Sequence, residues 1–313
     1  MNILILGGGG YVGTPLTTKL LENKKNKITV VDTFWFGNFL KKNKRLKIIK
    51  NDIRDINIKW FKGIDCIIHL ANIANDPAVD LNPNLSWNVN VITSMKIMEF
   101  AIKNKVKKFI YASSGSVYGV KKEKQVTEDL DLVPISVYNK TKMIAERVFM
   151  SFKDKIRINC IRPATVCGLS ARMRYDISVN LLTLQAIKKK QITVLGGNQI
   201  RPNIHIQDMI RLYEFFLKKK IPSGFYNAGF ENMKIIDLAK MIQKKTNTKI
   251  NIIKSNDPRS YRQDSSKLLK LGFKVKYSIS DAIDEIINLN KRKPIRSNIS
   301  NYTVKWMKKL KIQ

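Results

Sequence analysis

Acidic residues, cysteine and histidine are scarce in this chain. Only 24 Asp and Glu stand against 58 Lys and Arg, a formal net charge of +34. The three cysteines, Cys66, Cys160 and Cys167, are odd in number and form no CxxC pair. That excludes a disulfide or zinc framework and fits reduced thiols in the cytoplasm. With two histidines, His69 and His205, no metal site is expected. No apolar run reaches the 18 or so residues that a membrane-spanning helix needs, so no membrane association is expected. Residues 1–6 are apolar, but no basic segment precedes them and glycines follow at once. They read as a buried strand and not as a signal peptide.

The missing negative charge raises the question of polyanions. The lysines lie in short runs over the whole chain (24–25, 41–42, 188–190, 218–220), beside asparagine and isoleucine and without interleaved aromatics. That distribution reads as compositional drift, so a nucleic-acid partner is disfavoured. A positive field would still help to capture a pyrophosphate-bearing substrate.

What is present suits a soluble globular protein with a sizeable core: 313 residues, 44% of them hydrophobic. Apolar runs alternate with helical patterns through the first half, the signature of βαβ units. Strands are predicted at 2–6, 27–31, 46–50, 66–70, 109–112 and 157–161, with helices at 13–22, 86–104 and 137–152. Six such strands make a doubly wound, Rossmann-type parallel sheet. The rhythm then changes. Helices are predicted at 177–189, 207–218, 235–245 and 280–289, and short strands at 192–195, 203–205 and 249–254. The fold class is therefore α/β, with a smaller mixed α/β substrate-binding region. The dinucleotide domain takes 1–165 with about 203–228, and the substrate region takes 166–202 and 229–313. The basic tail, 291–313, reads as loosely held.

The first strand runs into Gly7-Gly8-Gly9-Gly10-Tyr11-Val12-Gly13, which satisfies both GxGxxG and GxxGxxG. Backbone without side chains turns tightly and lies close to a pyrophosphate, whose charge meets the N–H groups of the following helix. Gly7, Gly10, Tyr11, Val12 and Gly13 are the candidate phosphate turn. Asp32 closes the second strand, where a carboxylate accepts from a ribose diol and repels a 2′-phosphate. NAD is therefore expected over NADP.

Tyr138 and Lys142 stand four apart on a predicted helix and so share a face. A phenol with a pKa near ~10 is a weak base at neutral pH. A neighbouring ammonium is expected to lower that value, so that the phenol can exchange a proton with a sugar hydroxyl during hydride transfer to a nicotinamide. Upstream lies Tyr111-Ala112-Ser113-Ser114-Gly115-Ser116-Val117-Tyr118-Gly119. With these residues the chain resembles the extended short-chain dehydrogenase/reductases, in particular the NAD-dependent nucleotide-sugar epimerase/dehydratase family. The likeness continues through residues 51–55, 69–71, Arg162-Pro163, 196–201 and 204–208.

By position, the resemblance implies roles. Ser114 would hydrogen-bond the reacting sugar oxygen, Tyr138 would be the acid/base, and Lys142 would hold the nicotinamide ribose. Asp52 and Ile53 would contact adenine. Leu70 and Ala71 would line the cofactor cleft, and Asn88 would border it. Asn180, Arg201 and Arg259 resemble residues that meet the substrate's diphosphate and nucleotide, and Arg172 and Arg174 are placed to reach phosphates as well. Dehydratases of the family carry a carboxylate just after the catalytic hydroxyl residue. Gly115 and Ser116 stand there, which disfavours dehydration.

The implied reaction is oxidation at C4 of a nucleoside-diphosphate sugar through a 4-keto sugar, by a 4-dehydrogenase or a 4-epimerase of surface-polysaccharide sugar biosynthesis. A ketosugar reductase and a 3/5-epimerase are the alternatives; Cys167 would be the acid/base of the latter, although a small apolar filler is the plainer reading. A non-catalytic NAD sensor or nucleic-acid-binding Rossmann protein is a distant one. The family's dimer packs the helix bearing YxxxK with its neighbour, so a homodimer or higher homo-oligomer is expected from the apolar stripes of 86–104 and 137–152.

Overall fold

The computed structural model describes residues 1–255 and 260–312. In chain order the strands are β1 (Asn2–Leu6), β2 (Lys27–Asp32), β3 (Leu46–Lys50), β4 (Cys66–His69), β5 (Lys108–Ala112), β6 (Arg157–Pro163), β7 (Thr165–Cys167), β8 (Gln191–Leu195), β9 (Ile200–His205), β10 (Gly224–Ala228), β11 (Glu231–Lys234) and β12 (Lys249–Ile253). The helices are α1 (Gly13–Glu22), α2 (Asp76–Val79), α3 (Pro83–Trp87), α4 (Thr93–Lys103), α5 (Val137–Met150), α6 (Ser178–Lys189), α7 (Ile206–Lys218), α8 (Ile235–Thr246), α9 (Ser266–Lys270), α10 (Ile279–Arg292) and α11 (Thr303–Lys309).

Among the described residues, seven strands pair in parallel in the order β3-β2-β1-β4-β5-β6-β10. Strands covered on both faces need continuous apolar sequence, and Ile3–Leu6 and Cys66–His69 are buried at every position. The strand order reverses between β1 and β4, and the crevice at their carboxyl ends is where such sheets bind ligands. One strand more than the expected six is present. β10, with the sequence Gly-Phe-Tyr-Asn-Ala, offers no run of β-branched residues to mark it, yet it pairs with β6 from Gly224↔Asn159 to Ala228↔Pro163.

The predicted long helix 86–104 is interrupted. Residues Asn88–Ile92 form a π turn between α3 and α4. The Thr93 hydroxyl donates to the Val89 carbonyl at 2.7 Å, and Ser94 donates to the Asn90 carbonyl at 3.2 Å. Such back-bonding competes with the helical ladder. Beyond the main sheet lie the β11-β9-β7 sheet and the parallel pair β8-β12. Helices α6, α8 and α10 bury Val179, Leu182, Leu238, Ile242 and Ile283 in one core with Ile192 and Val194.

The tail is not loose. In α11, Met307 is buried among residues that include Ile73 and Val79, with Val304 packed alongside. The Trp306 indole donates to the Trp35 carbonyl at 2.6 Å. Apolar residues one helical turn apart anchor this segment despite its lysines.

Candidate active site

A cavity of about 460 Å³ opens at the carboxyl edge of the sheet. One wall is the glycine turn. Gly7 has φ +84°, and a Cβ there would lie 2.4 Å from the Ala71 nitrogen. At Gly13 a Cβ would lie 2.5 Å from the Gly7 carbonyl oxygen. Both positions exclude any side chain, which lets α1 start against the end of β1. Gly10 is different: its added Cβ meets only the Gly7 oxygen, at 3.4 Å. Gly10, Tyr11 and Val12 face the cavity. No acidic residue occupies the first turn of α1, so its positive end is left for an anion.

Asp32 ends β2 beside this turn. Its carboxylate accepts from Gly9 N–H at 2.8 Å and Phe34 N–H at 2.7 Å. Burial raises its pKa, and these two bonds oppose the rise. Asp52 caps the short turn after β3, accepting from the Arg54 backbone at 2.8 Å and the Arg54 guanidinium at 2.9 Å. Ile53 is buried beneath it. Leu70 lines the cavity, and the N–H groups of Leu70 and Ala71 both donate to the Leu6 carbonyl at 2.8 Å. That pair of bonds holds the end of β4 against the glycine turn.

Tyr138, Ser114 and Ser116 face the same cavity. Ser136 caps α5 by accepting from Asn139 N–H at 3.2 Å, which aims Tyr138 and Lys142 off the helix's first turns. Crowding by protein pushes the Tyr138 phenol up to about 12; a hydrogen bond with Ser114 opposes this, Asp76 adds to it and Arg174 subtracts from it. The Ser114 hydroxyl is 2.8 Å from that of Ser116.

Lys142 is buried, with its ammonium donating to the Ala112 carbonyl at 2.6 Å. In its hydrogen-bond-satisfying orientation, the Asn72 amide oxygen accepts from Lys142 at 3.0 Å. Desolvation takes the Lys142 pKa down to about 7. The protein alone thus disfavours both charges of the pair, whereas spacing alone suggested a phenol lowered by its lysine.

Other expected residues fall differently. Asn88 is exposed; Asn90, two positions on, is buried, accepts from Ile73 N–H at 2.9 Å and donates to Thr141 on α5 at 3.1 Å. The π turn rotates the helix so that Asn90 and not Asn88 faces inward. Asn180 is buried and its amide is spent on protein groups. It accepts from Gly168 N–H at 3.0 Å and donates to the Tyr11 hydroxyl at 3.1 Å and the Arg174 carbonyl at 2.9 Å. It fixes the 168–174 loop and does not line the cavity. Arg201 lines the cavity, and Arg259 lies outside the described residues.

Cys167 is buried in the core of the second region with its thiol pushed up by desolvation, as a filler would be. His69 is buried against Tyr111, Phe109 and Phe149, and desolvation lowers it to about 3, so it is neutral packing.

Three contributors escaped the sequence reading. Asp76 lines the cavity and accepts from the Ser136 hydroxyl. Its sequence signal is Asn75-Asp76-Pro77, the pattern of a helix start. Thr303 and Met307 of α11 also line the cavity. Thr303 N–H donates to Asp176 at 2.9 Å, and Asp176 pairs with Arg174 through contacts of 2.9 and 3.2 Å. The charged tail gave no sign of this.

The arrangement supplies a phosphate-compatible turn and a hydroxyl–phenol pair in one cleft, with the Asp32 carboxylate bound to the turn and the Lys142 ammonium buried 5.9 Å from the centre of the Tyr138 ring. The sequence is 26% identical to a UDP-glucose 4-epimerase of Lactobacillus helveticus, over 92% of this chain and 95% of that one. It is 31% identical to a UDP-glucose epimerase of Bacillus subtilis described as uncharacterised, over 67% and 71%. The fold matches the crystal structure of UDP-glucuronic acid 4-epimerase from Bacillus cereus in complex with UDP-glucuronic acid and NAD, with TM-score 0.83 and 30% identity, covering 92% of this chain and 100% of that one. The profile of the NAD dependent epimerase/dehydratase family matches residues 3–229, most of the chain, and the chain belongs to that family.

Proposed function

We propose that this protein is an NAD-dependent 4-epimerase acting on a nucleoside-diphosphate sugar through a 4-keto sugar. The observation that carries the reading is the meeting of Ser114 and Tyr138 in one cavity with the glycine turn, with the buried Lys142 ammonium 5.9 Å from the centre of the Tyr138 ring. Gly7, Gly10 and Gly13, with the positive end of α1, would hold the cofactor's diphosphate, and Asp32 its adenosine ribose. Bound NAD supplies the acceptor that takes a hydride from C4 and returns it. Tyr138 accepts the 4-hydroxyl proton as the carbonyl forms and gives it back on reduction. Ser114 holds the reacting oxygen. Lys142, anchored on Ala112, places positive charge below the phenol and favours its ionised form once the cleft is filled. Arg201, on the cavity wall, suits the substrate's diphosphate, and Arg259 is assigned the same task from resemblance alone.

The relatives named as 4-epimerases favour inversion over release of the keto sugar. No carboxylate stands at Gly115 or Ser116, and the Ser116 hydroxyl is engaged with Ser114, which disfavours dehydration. A second reading has its own observation. Asp76 reaches the cavity and acts electrostatically on Tyr138, so a base for proton removal next to the keto carbon is at hand, as 3- or 5-epimerisation needs. We further infer a homodimer through α5 and the neighbouring segment of the π turn and α4, in which Ile92 and Met95 are 60% and 53% exposed. No helix among the described residues is long and apolar enough to cross a membrane. A cytoplasmic reaction, with three free buried thiols, and a product destined for surface polysaccharide complete the proposal.

The test is turnover of UDP-, GDP-, CDP- and dTDP-sugars in D2O, followed by NMR and by absorbance of reduced nicotinamide. Inversion at C4 without ring deuterium and without net reduction is the expected result. Released keto sugar with stoichiometric reduced cofactor identifies a dehydrogenase. Deuterium at C3 or C5 identifies the second reading.

A further inference from the structure

The loop between β7 and α6 carries Arg172, a cation expected to reach phosphates and left without a task in the proposed reaction. Arg172 is 4% exposed, and its Nε and Nη1 have no hydrogen-bond partner among the described residues. A buried guanidinium with idle donors is costly unless an anion meets it. Its position is fixed by the fold. The ring of Phe36 lies 4.0 Å from the guanidinium carbon, so one face is stacked and the in-plane donors are turned aside from the ring.

The loop itself is fastened to the glycine turn. Ser170 donates to the Tyr11 carbonyl at 2.8 Å, and the Tyr11 hydroxyl donates to the Gly168 carbonyl at 2.7 Å. It is also fastened to the C-terminal segment, whose Asn301 donates to the Met173 carbonyl at 3.3 Å. Arg172 lines the cavity with Gly10, Tyr11, Val12 and Phe36.

Asp32 and Asp176 act on it through space, and no carboxylate hydrogen-bonds its Nε or Nη1. Arg174 is taken up by Asp176, and the Asp32 oxygens accept from backbone N–H groups. Burial moves the Arg172 pKa down to about 10, which leaves it charged at neutral pH.

We propose that Arg172 is a diphosphate ligand that grips the bound dinucleotide from the loop fastened beside the glycine turn. The inference rests on the family reading and adds a residue to it. The turn supplies backbone dipoles; Arg172 supplies a full charge and a donor pair, the fork geometry that suits phosphate oxygens. A nucleotide sugar also carries a diphosphate, and the two sources separate by which nucleotide feels the loss.

The test is calorimetric binding by the full chain, freed of bound nucleotide, for NAD, ADP-ribose, adenosine and UDP. Arg172→Met keeps a side chain that can pack on Phe36 and removes the charge. The expected result is affinity for NAD and ADP-ribose lower by about 10- to 100-fold, a shallower salt dependence, and unchanged affinity for adenosine and UDP. Arg172→Lys, which keeps the charge without the fork, should fall between the two and serves as the probe if the methionine variant does not fold. Unchanged NAD and ADP-ribose affinity in a folded variant overturns the assignment, as does a loss confined to UDP. A parent protein that binds neither NAD nor ADP-ribose overturns the family reading, and the assignment with it.

Discussion

At Tyr138 and Lys142 the protein works against the charges the reaction needs. A phenol near 12 is ionised in only about one molecule in 100,000 at pH 7. Cofactor-free protein should therefore show the Tyr138 phenolate only near pH 12, read as the ultraviolet difference between the parent and Tyr138→Phe. Titration near 10 would mean the phenol is not crowded. Lys142, brought from 10.5 to about 7, binds fewer protons folded than unfolded between those values, so its burial penalty is largest below pH 7 and fades as pH rises towards 10.5. Lys142→Met should accordingly gain stability relative to the parent at pH 6 and lose that margin by pH 10, as measured by thermal unfolding without cofactor. The glycines give a second residue-scale prediction. Gly13→Ala forces contacts of 2.5 Å with the Gly7 oxygen and 2.7 Å with Gly8, and should lower the unfolding midpoint by several degrees. Gly10→Ala meets only one atom, at 3.4 Å, so it should keep the parental midpoint yet weaken NAD binding about tenfold.

Among the elements, α11 is the one whose role no local signal announces. Its Thr303–Asp176 and Trp306–Trp35 bonds and the buried Met307 close one side of the cavity. A chain ending at residue 298 should release NAD at least about tenfold faster than the parent in a chase experiment; an unchanged rate would make the helix a passive cover. Elements with strong periodicity were legible in the sequence. β1 to β6, α1 and α5 fall within a few residues of their predicted bounds, because buried parallel strands are continuous apolar runs and the helices carry a 3.6-residue stripe. The glycine turn, Asp32, Ser114, Tyr138 and Lys142 were legible because each needs a particular residue type at a particular place on such an element. β10 was not, since its strand character comes from pairing with β6. Asn88 was chosen over Asn90 because a π turn shifts the helical phase without any residue that announces it. Asp76, Thr303 and Met307 reach the cavity by tertiary packing alone.

At the scale of the molecule, the sheet brings distant segments to one carboxyl edge, and the second region and the C-terminal segment roof them. The outer face of the π turn and α4 remains apolar at Ile92 and Met95. The double variant Ile92→Glu/Met95→Glu should shift the protein from dimer to monomer in light scattering, and a monomeric parent would contradict the inferred association. The central claim is that the Tyr138 phenol exchanges the proton of the sugar's 4-hydroxyl while C4 is oxidised. Its most direct test is single-turnover conversion by a folded Tyr138→Phe variant loaded with NAD to the same occupancy as the parent. A rate about 10²- to 10⁴-fold lower is the expected result, and conversion at the parental rate would contradict the account.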